Sequence, residues 1–236
     1  MGAGGDRTME LDRAAEDAAF AELAALADRG ERFSVLSEEV GLRRFGADHP
    51  LVVVDPVDGS LNAKQGLPFY NVMLALLDGP TMGDATVGCV VNLISGEHWT
   101  AIRGQGARRN GERLRVLPRR QGDRIELLGL ESSPRSLKGA DRLVARASKL
   151  RILGSMALSM AHTASGGLVV FCAPGPMRVF DMAAGLLIIT EAGGVATDLQ
   201  GRSLEDLECT LANRTTLLCA PDRATHDLAM RALSSE

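Results

Sequence analysis

The sequence predicts an α/β chain of two packed subdomains, residues 1–120 and 121–236. Two changes of pattern carry that expectation. Short apolar or alternating runs separated by turn residues follow one leading helix in the first half, which reads as antiparallel sheet plus helix. Strands alternate with helices in the second half, which reads as an α/β unit. The patterns meet near 119–123 without repeats or low-complexity tracts, so the halves should pack as one body.

Composition agrees. The 236 residues are 45% hydrophobic and 24% charged, enough for a large core under a solvated surface. Aromatics are only 3%, so that core is built from Ala, Val, Leu, Ile and Met. A net charge of -4 gives no general attraction to nucleic acid or membrane. Cys89, Cys172, Cys209 and Cys219 are scattered and read as small buried apolar residues in a reducing compartment. The charged N-terminus is no signal peptide, Asp6 argues against myristoylation, and no apolar run spans a bilayer. A cytoplasmic protein is the expectation.

Taken in order, Leu11, Ala15, Ala19, Leu23 and Leu26 predict a helix over 9–28, stopped by Gly30. Asp12 and Glu16 lie one turn apart near its start, and the simplest account is a solvated first turn that complements the helix dipole. Phe33–Leu36 is a short strand that runs into Ser37, Glu38 and Glu39. Residues 51–54 form a second, buried strand that also runs into acids.

That second strand continues as Asp55-Pro56-Val57-Asp58-Gly59-Ser60. Pro56 biases Asp55 toward extended geometry, so both carboxylates project from the sheet edge. Gly59 permits close backbone approach, and Ser60 is a good N-cap for a helical turn. Hard oxygen ligands thus stand beside backbone N–H groups, and a cation and a phosphate could share the place.

Strands follow at 71–77, 85–93 and 97–102, with Gly79-Pro80 and Ser95-Gly96 as reversals. Gly104-x-Gly106 lacks the third glycine and the following helix of a dinucleotide loop; Asn110-Gly111 is a hairpin turn instead. Eight arginines between Arg103 and Arg124 make either a solvated hairpin face or, more sharply, a docking patch for an anionic partner. Strands at 124–130, 149–153, 168–172 and 215–219 then alternate with helices near 134–147, 155–165, 181–192 and 221–233. Asp181 is the natural N-cap of a helix apolar nearly all round, hence buried between layers. It is either only a cap or a carboxylate that reaches the acids of the first half. Ala183, Ala184 and Gly185 would let another backbone come close.

Glu38-Glu39, Asp55-Pro56-Val57-Asp58-Gly59-Ser60 and Asp181-Met182-Ala183-Ala184-Gly185 resemble, in order, the three signatures of the inositol monophosphatase family. This is the magnesium-dependent, lithium-sensitive sugar phosphatase superfamily. Gly104-x-Gly106-Ala107-x-x-Asn110-Gly111 resembles its hairpin, Gly154-Ser155-x-Ala157 its substrate-contacting turn, and Thr8-x-x-x-Asp12-x-x-x-Glu16 the start of its second helix. The length and the Gly-Ser motif ending look closest to the archaeal-type inositol monophosphatase/fructose-1,6-bisphosphatase branch.

The resemblance implies alternating helix and sheet layers and hydrolysis of a small sugar or polyol phosphate by metal-activated water. It implies that Glu38, Asp55 and the Val57 carbonyl hold one Mg²⁺, and Asp55, Asp58 and Asp181 a second. The ions number two or three, with Mn²⁺ as a substitute. Ser60, with Asp12 beside it, would orient the attacking water, Glu38 would serve catalysis, and the Gly59 and Ser60 amides would bind the phosphate. Gly154, Ser155 and Ala157 would contact substrate. A homodimer is implied, with no nucleic-acid or membrane partner.

Family members usually carry a further helix before the one at 9–28, and many have Trp where Phe180 stands. Pro174 occupies the place, seven before Asp181, where inositol-selective members carry Glu. A 3′(2′),5′-bisphosphate nucleotidase and a non-catalytic regulatory or scaffold relative are the alternatives.

The chemistry fits the residues independently. A phosphate monoester is a dianion that repels hydroxide, and two cations neutralise it, acidify water and stabilise the leaving alkoxide. No cysteine or serine nucleophile with a paired base is visible.

Overall fold

The computed structural model describes residues 10–114 and 124–234. The join expected near 119–123, Thr8, and Arg115, Arg119 and Arg120 of the arginine cluster lie outside the described residues.

The chain opens with α1 (Glu10–Asp28). Its period is as predicted but its buried face is shifted by one residue: Asp12, Glu16, Phe20 and Leu23 are buried while Leu11 is 45% exposed. Asp12 and Glu16 are therefore not solvated. They point inward because each has a partner there, and a buried carboxylate is tolerated only when hydrogen-bonded. Glu16 accepts from the Ser37 hydroxyl and from the Val40 N–H.

A seven-stranded sheet follows in chain order: β1 (Phe33–Ser37), β2 (Gly41–Asp58), β3 (Asn71–Leu77), β4 (Ala85–Asn92), β5 (His98–Ile102), β6 (Gly106–Arg109) and β7 (Glu112–Arg113). The sequence pattern missed the first arm of β2, which is largely exposed and carries no apolar run. That arm turns back antiparallel on β1, with Ser37 opposite Gly41 and Phe33 opposite Phe45. The second arm sets Leu51, Val52, Val53 and Val54 opposite Ser34, Val35, Leu36 and Ser37. Both numberings rise together, so the two segments run the same way and end at the same edge. The two acid-terminated strands therefore deliver their carboxylates to one place.

Between β2 and β3 lies α2 (Ser60–Gln65). Its N-cap is Gly59, with φ 94°, and not Ser60, which is the first helical residue. A Cβ at Gly59 would meet Gly154 O and Phe69 O at 3.1 Å, so both conformation and space require glycine there.

A five-stranded sheet forms the second half, in the order β11 (Val195–Thr197), β12 (Arg214–Ala220), β10 (Val170–Arg178), β8 (Ile125–Leu130), β9 (Ala147–Ile152). The helix expected at 134–147 is a 3-10 turn, Leu137–Ala140, followed by α3 (Asp141–Arg146). The others are α4 (Met156–Ala164), α5 (Ala183–Glu191) and α6 (Arg223–Ser234). Asp181 is not the N-cap of α5. It sits in a 3-10 turn, Phe180–Met182, and Met182 is the cap position.

Layers of helix and sheet alternate. α1 lies on β2, α4 and α5 lie between the two sheets, and α3 and α6 cover the far face of the second sheet. The central layer is apolar all round because it is buried on both sides; Ala157, Leu158, Met160, Ala161, Ala183, Ala184, Ile188 and Ile189 are fully enclosed. The small residues of α5 permit close approach as expected. A Cβ on Gly88 of β4 would meet Ala184 O at 3.0 Å, and one on Gly185 would meet Met160 Sδ at 2.6 Å. One core cluster accordingly draws on both halves, from Trp99 and Met73 to Phe171 and Leu217.

The arginines of the described hairpins are mostly consumed internally. Arg103 donates to the carbonyls of Gly83 and Ala85. Arg109 pairs with Glu97 at 2.6 Å and lies over the Trp99 ring. Arg108 donates to Gly111 O. The Gly104 and Gly106 amides both hold the Glu191 carboxylate at 2.7 Å, so this loop binds the end of α5 rather than a nucleotide.

Candidate active site

The acid end of β2 is the centre. Asp55 pairs across from Met73 and Asp58 from Asn71, with an irregularity between them where Pro56 can donate nothing to the ladder. Asp55 is buried and accepts from the Val57 N–H at 3.2 Å. Burial pushes its carboxyl well above the ordinary range; Asp58, Glu38 and Asp181 push the same way, and Arg178 opposes them. Four carboxylates brought from three segments thus act on one another.

Asp58 is firmly held. Its Oδ2 accepts from Ser155 Oγ at 2.6 Å, Asn71 Nδ2 at 2.7 Å and the Ala157 N–H at 2.8 Å, and its Oδ1 accepts from the Met156 N–H at 3.1 Å. Ser155 and Ala157, expected to contact substrate, both donate to Asp58. Ser155 also caps α4 by accepting from the Leu158 N–H. Gly154 is stapled to α2 by Asn62, whose Nδ2 donates to Leu153 O at 2.6 Å.

Asp181 is held by one side chain. Its Oδ2 accepts from Arg178 Nε at 3.0 Å, and its buried Oδ1 has no hydrogen-bond partner among the described residues. Burial raises its pKa to about 7; Arg178 opposes, while Asp58 and Glu38 add to the rise. The guanidinium is outweighed because it is one cation among several buried acids. Arg178 also donates to Glu38 Oε1. Burial works against the guanidinium charge, but Asp181 and Glu38 overcome it and drive its pKa up.

Ser60 completes the centre. Its hydroxyl lies 2.9 Å from Asp12 Oδ1 and 2.8 Å from the Val57 carbonyl, which links α1 to the Asp55–Ser60 motif. The motif hydroxyl and the helix carboxylate, 48 positions apart in sequence, are therefore in contact.

The donors are all hard oxygens and include an orphaned buried one, Asp181 Oδ1, amid carboxylates whose charge Arg178 only partly offsets. That set fits Mg²⁺. Among the described residues, however, no three acids close around a single point as a cage.

A cleft of about 520 Å³ is lined by Glu131, Ser132, Ser133, Arg135, Ser136 and Met177. It borders the acids, since burial and the Asp58 charge raise Glu131 to about 7, against a hydrogen bond from the Gly154 amide. A smaller cleft of about 290 Å³, between Arg103, Leu187 and Leu204, contains none of the motif residues. The cysteines take no part: burial pushes the Cys172 and Cys209 thiols up to about 12.

The motif reading missed Asn71, Glu131 and Arg178. Asn71 opens one apolar strand and Glu131 directly follows another, and neither belongs to a motif. Arg178 had a signal, its place three residues before Asp181, at the spacing that returns a side chain over one turn.

Helices and sheets in alternating layers around a buried, oxygen-rich centre belong here to a phosphoric monoester hydrolase, as the match to its family shows. More narrowly, the chain belongs to the inositol monophosphatase family, whose model matches residues 3–236. It is 33% identical to a fructose-1,6-bisphosphatase/inositol-1-monophosphatase of Methanothermobacter thermautotrophicus, over 99% of this chain and 85% of that one. It is 32% identical to a Nus factor SuhB of Xylella fastidiosa, over 98% of this chain and 82% of the other. The crystal structure of extragenic suppressor protein suhB from Bartonella henselae superposes with a TM-score of 0.82 at 30% identity, covering 98% of this chain and 86% of that one. Among the described residues no helix is long and apolar enough to cross a membrane.

Proposed function

We propose that the chain hydrolyses a small sugar or polyol phosphate monoester, inositol monophosphate or fructose 1,6-bisphosphate, in a Mg²⁺-dependent reaction. The observation that carries this reading is the Ser60 hydroxyl, held within hydrogen-bond reach of both Asp12 and the Val57 carbonyl beside the mutually acting acids Glu38, Asp55, Asp58 and Asp181.

Glu38, Asp55, the Val57 carbonyl, Asp58 and Asp181 would hold two or three Mg²⁺ ions, or Mn²⁺ in their place. Such ions neutralise the phosphate dianion and supply an acidic water. Asp12 accepts a hydrogen bond from the Ser60 hydroxyl, which leaves the Ser60 oxygen lone pairs to orient the nucleophilic water. The Gly59 and Ser60 amides bind phosphate oxygens. Ser155, Asn71, Met156 and Ala157 act through Asp58, which they position. The Glu131–Arg135 cleft receives the alcohol part of the substrate, its serine hydroxyls and its acid matching a polyol. With Pro174 in place of an acid, selectivity for inositol alone is not expected. The reading includes a cytoplasmic homodimer inhibited by lithium.

A screen of phosphate release from inositol 1-phosphate, fructose 1,6-bisphosphate and adenosine 3′,5′-bisphosphate, with and without Mg²⁺ and with lithium as control, tests it. Turnover of the first or second is expected. Preference for the third makes the chain a nucleotidase, and no turnover of any leaves a non-catalytic regulatory or scaffold protein on this fold.

A further inference from the structure

Arg178 contacts two expected metal ligands that come from opposite halves of the chain. Its terminal NH1 donates to Glu38 Oε1, beyond the end of β1, and its Nε lies 3.0 Å from Asp181 Oδ2, before α5. All three side chains are largely buried, at 16%, 12% and 9% exposure. The ion pairs are therefore poorly screened, unlike pairs at the surface. The contacts are also asymmetric. Arg178 takes one oxygen of Asp181 and leaves the other, buried, without a partner. A guanidinium is planar, and its donors diverge in a fork, so a single arginine spans two carboxylates that a point charge could not.

We propose that Arg178 is a built-in cation of this site, one that ties Glu38 to Asp181 and competes with Mg²⁺ for Glu38. The proposal rests on the reading that these acids hold metal. It explains two facts together. The acids stay close despite their repulsion, because Arg178 neutralises part of it. They nonetheless form no closed cage among the described residues, because Glu38 is engaged by the guanidinium rather than turned wholly toward its fellow acids. Loading then passes Glu38 from Arg178 to the ion. Arg178 keeps its Nε bond to Asp181 and so orients that carboxylate in both states. Arg178 is thus a positioning residue for Asp181 and a competitor at Glu38, two roles that pull metal affinity in opposite directions.

The test is Mn²⁺ binding to the full chain without substrate, by calorimetry, with thermal melts of the metal-free and Mg²⁺-loaded protein. Competition at Glu38 outweighs positioning of Asp181, so Arg178→Gln binds Mn²⁺ roughly tenfold more tightly than the native chain, the scale of removing one nearby positive charge. Its metal-free form melts lower and its gain on Mg²⁺ addition is larger. Arg178→Lys, which retains the charge but not the fork, falls between the two in affinity and guards against a Gln variant that does not fold. Unchanged or weaker Mn²⁺ binding in folded Arg178→Gln or Arg178→Lys overturns the proposal. A native chain that binds no Mn²⁺ overturns it together with the metal-dependent reading of function.

Discussion

Asp58 and Asp181 do the same proposed work but are built in opposite ways. Asp58 rests on two backbone amides at the start of α4, on the Ser155 hydroxyl and on the fully buried Asn71. Asp181 rests on one arginine and leaves an oxygen bare. Backbone amides cannot leave without unfolding a helix end, whereas an arginine side chain can rotate away. The comparison teaches that one carboxylate is set by the fold itself, and the other by a replaceable charge. A site that must admit and release cations gains from having both: a fixed wall and a movable one.

Asp55, which feels the charge of both, should show the largest effect. Asp55→Asn lowers Mg²⁺-dependent phosphate release by roughly 10³-fold, the scale of losing a principal electrostatic contact in a transition state. Activity near the native level would remove the metal-dependent mechanism.

Next come the two acids themselves. Asp58→Asn and Asp181→Asn should each cost about 10²-fold in turnover, but their metal-free stabilities should diverge. Asp58→Asn strands donors that now meet a charged acceptor and costs about 2 kcal/mol. Asp181→Asn removes a buried charge in an acidic surrounding and melts no lower than the native chain. Equal melting temperatures would erase the distinction drawn between them.

The pH dependence sharpens it further. A carboxyl with a raised folded pKa holds its proton more tightly in the folded chain than in the unfolded one. For Asp181 the interval runs from the ordinary 3.8 to about 7, and Asp55 is displaced in the same direction. Metal-free stability should therefore fall as pH rises through that interval, and Mg²⁺ should restore it above pH of about 7. Asp181→Asn should flatten the fall. Melting curves across the interval with and without Mg²⁺ decide this, and a metal-free stability that climbs steadily to neutrality would contradict it.

The smallest effect concerns the hairpin arginines, remote from both acids. Arg109→Ala loses a half-exposed pair to Glu97 and the stacking on Trp99, about 1 kcal/mol or less, with turnover unchanged. A large loss of turnover there would tie the hairpin to the site.

Much of the site was legible because its ligands travel in short motifs. Asp55-x-x-Asp58 needs only a strand end and a proline to project two acids from an edge, and both can be read locally. The period of α1 was legible too, yet its phase was not. Asp12 and Glu16 look like solvated helix charges until Ser60 and Ser37 are brought against them from 48 and 21 positions away. Capping failed for a similar reason. Ser60 and Asp181 have the right chemistry for N-caps, but each side chain is taken by another partner, Ser60 by Asp12 and Asp181 by Arg178, and Gly59 and Met182 take the cap positions. The first arm of β2 was invisible because an exposed arm has no apolar pattern to betray it.

The acids of the candidate site, their order along the chain and the alternation of strand and helix could be read from the sequence, since these depend on residue chemistry and periodicity over a few positions. Only the tertiary structure decided which acids are anchored and which are held by a charge. That turns on contacts between residues such as Ser155 and Asp58, or Arg178 and Glu38, 97 and 140 positions apart, which no local pattern records.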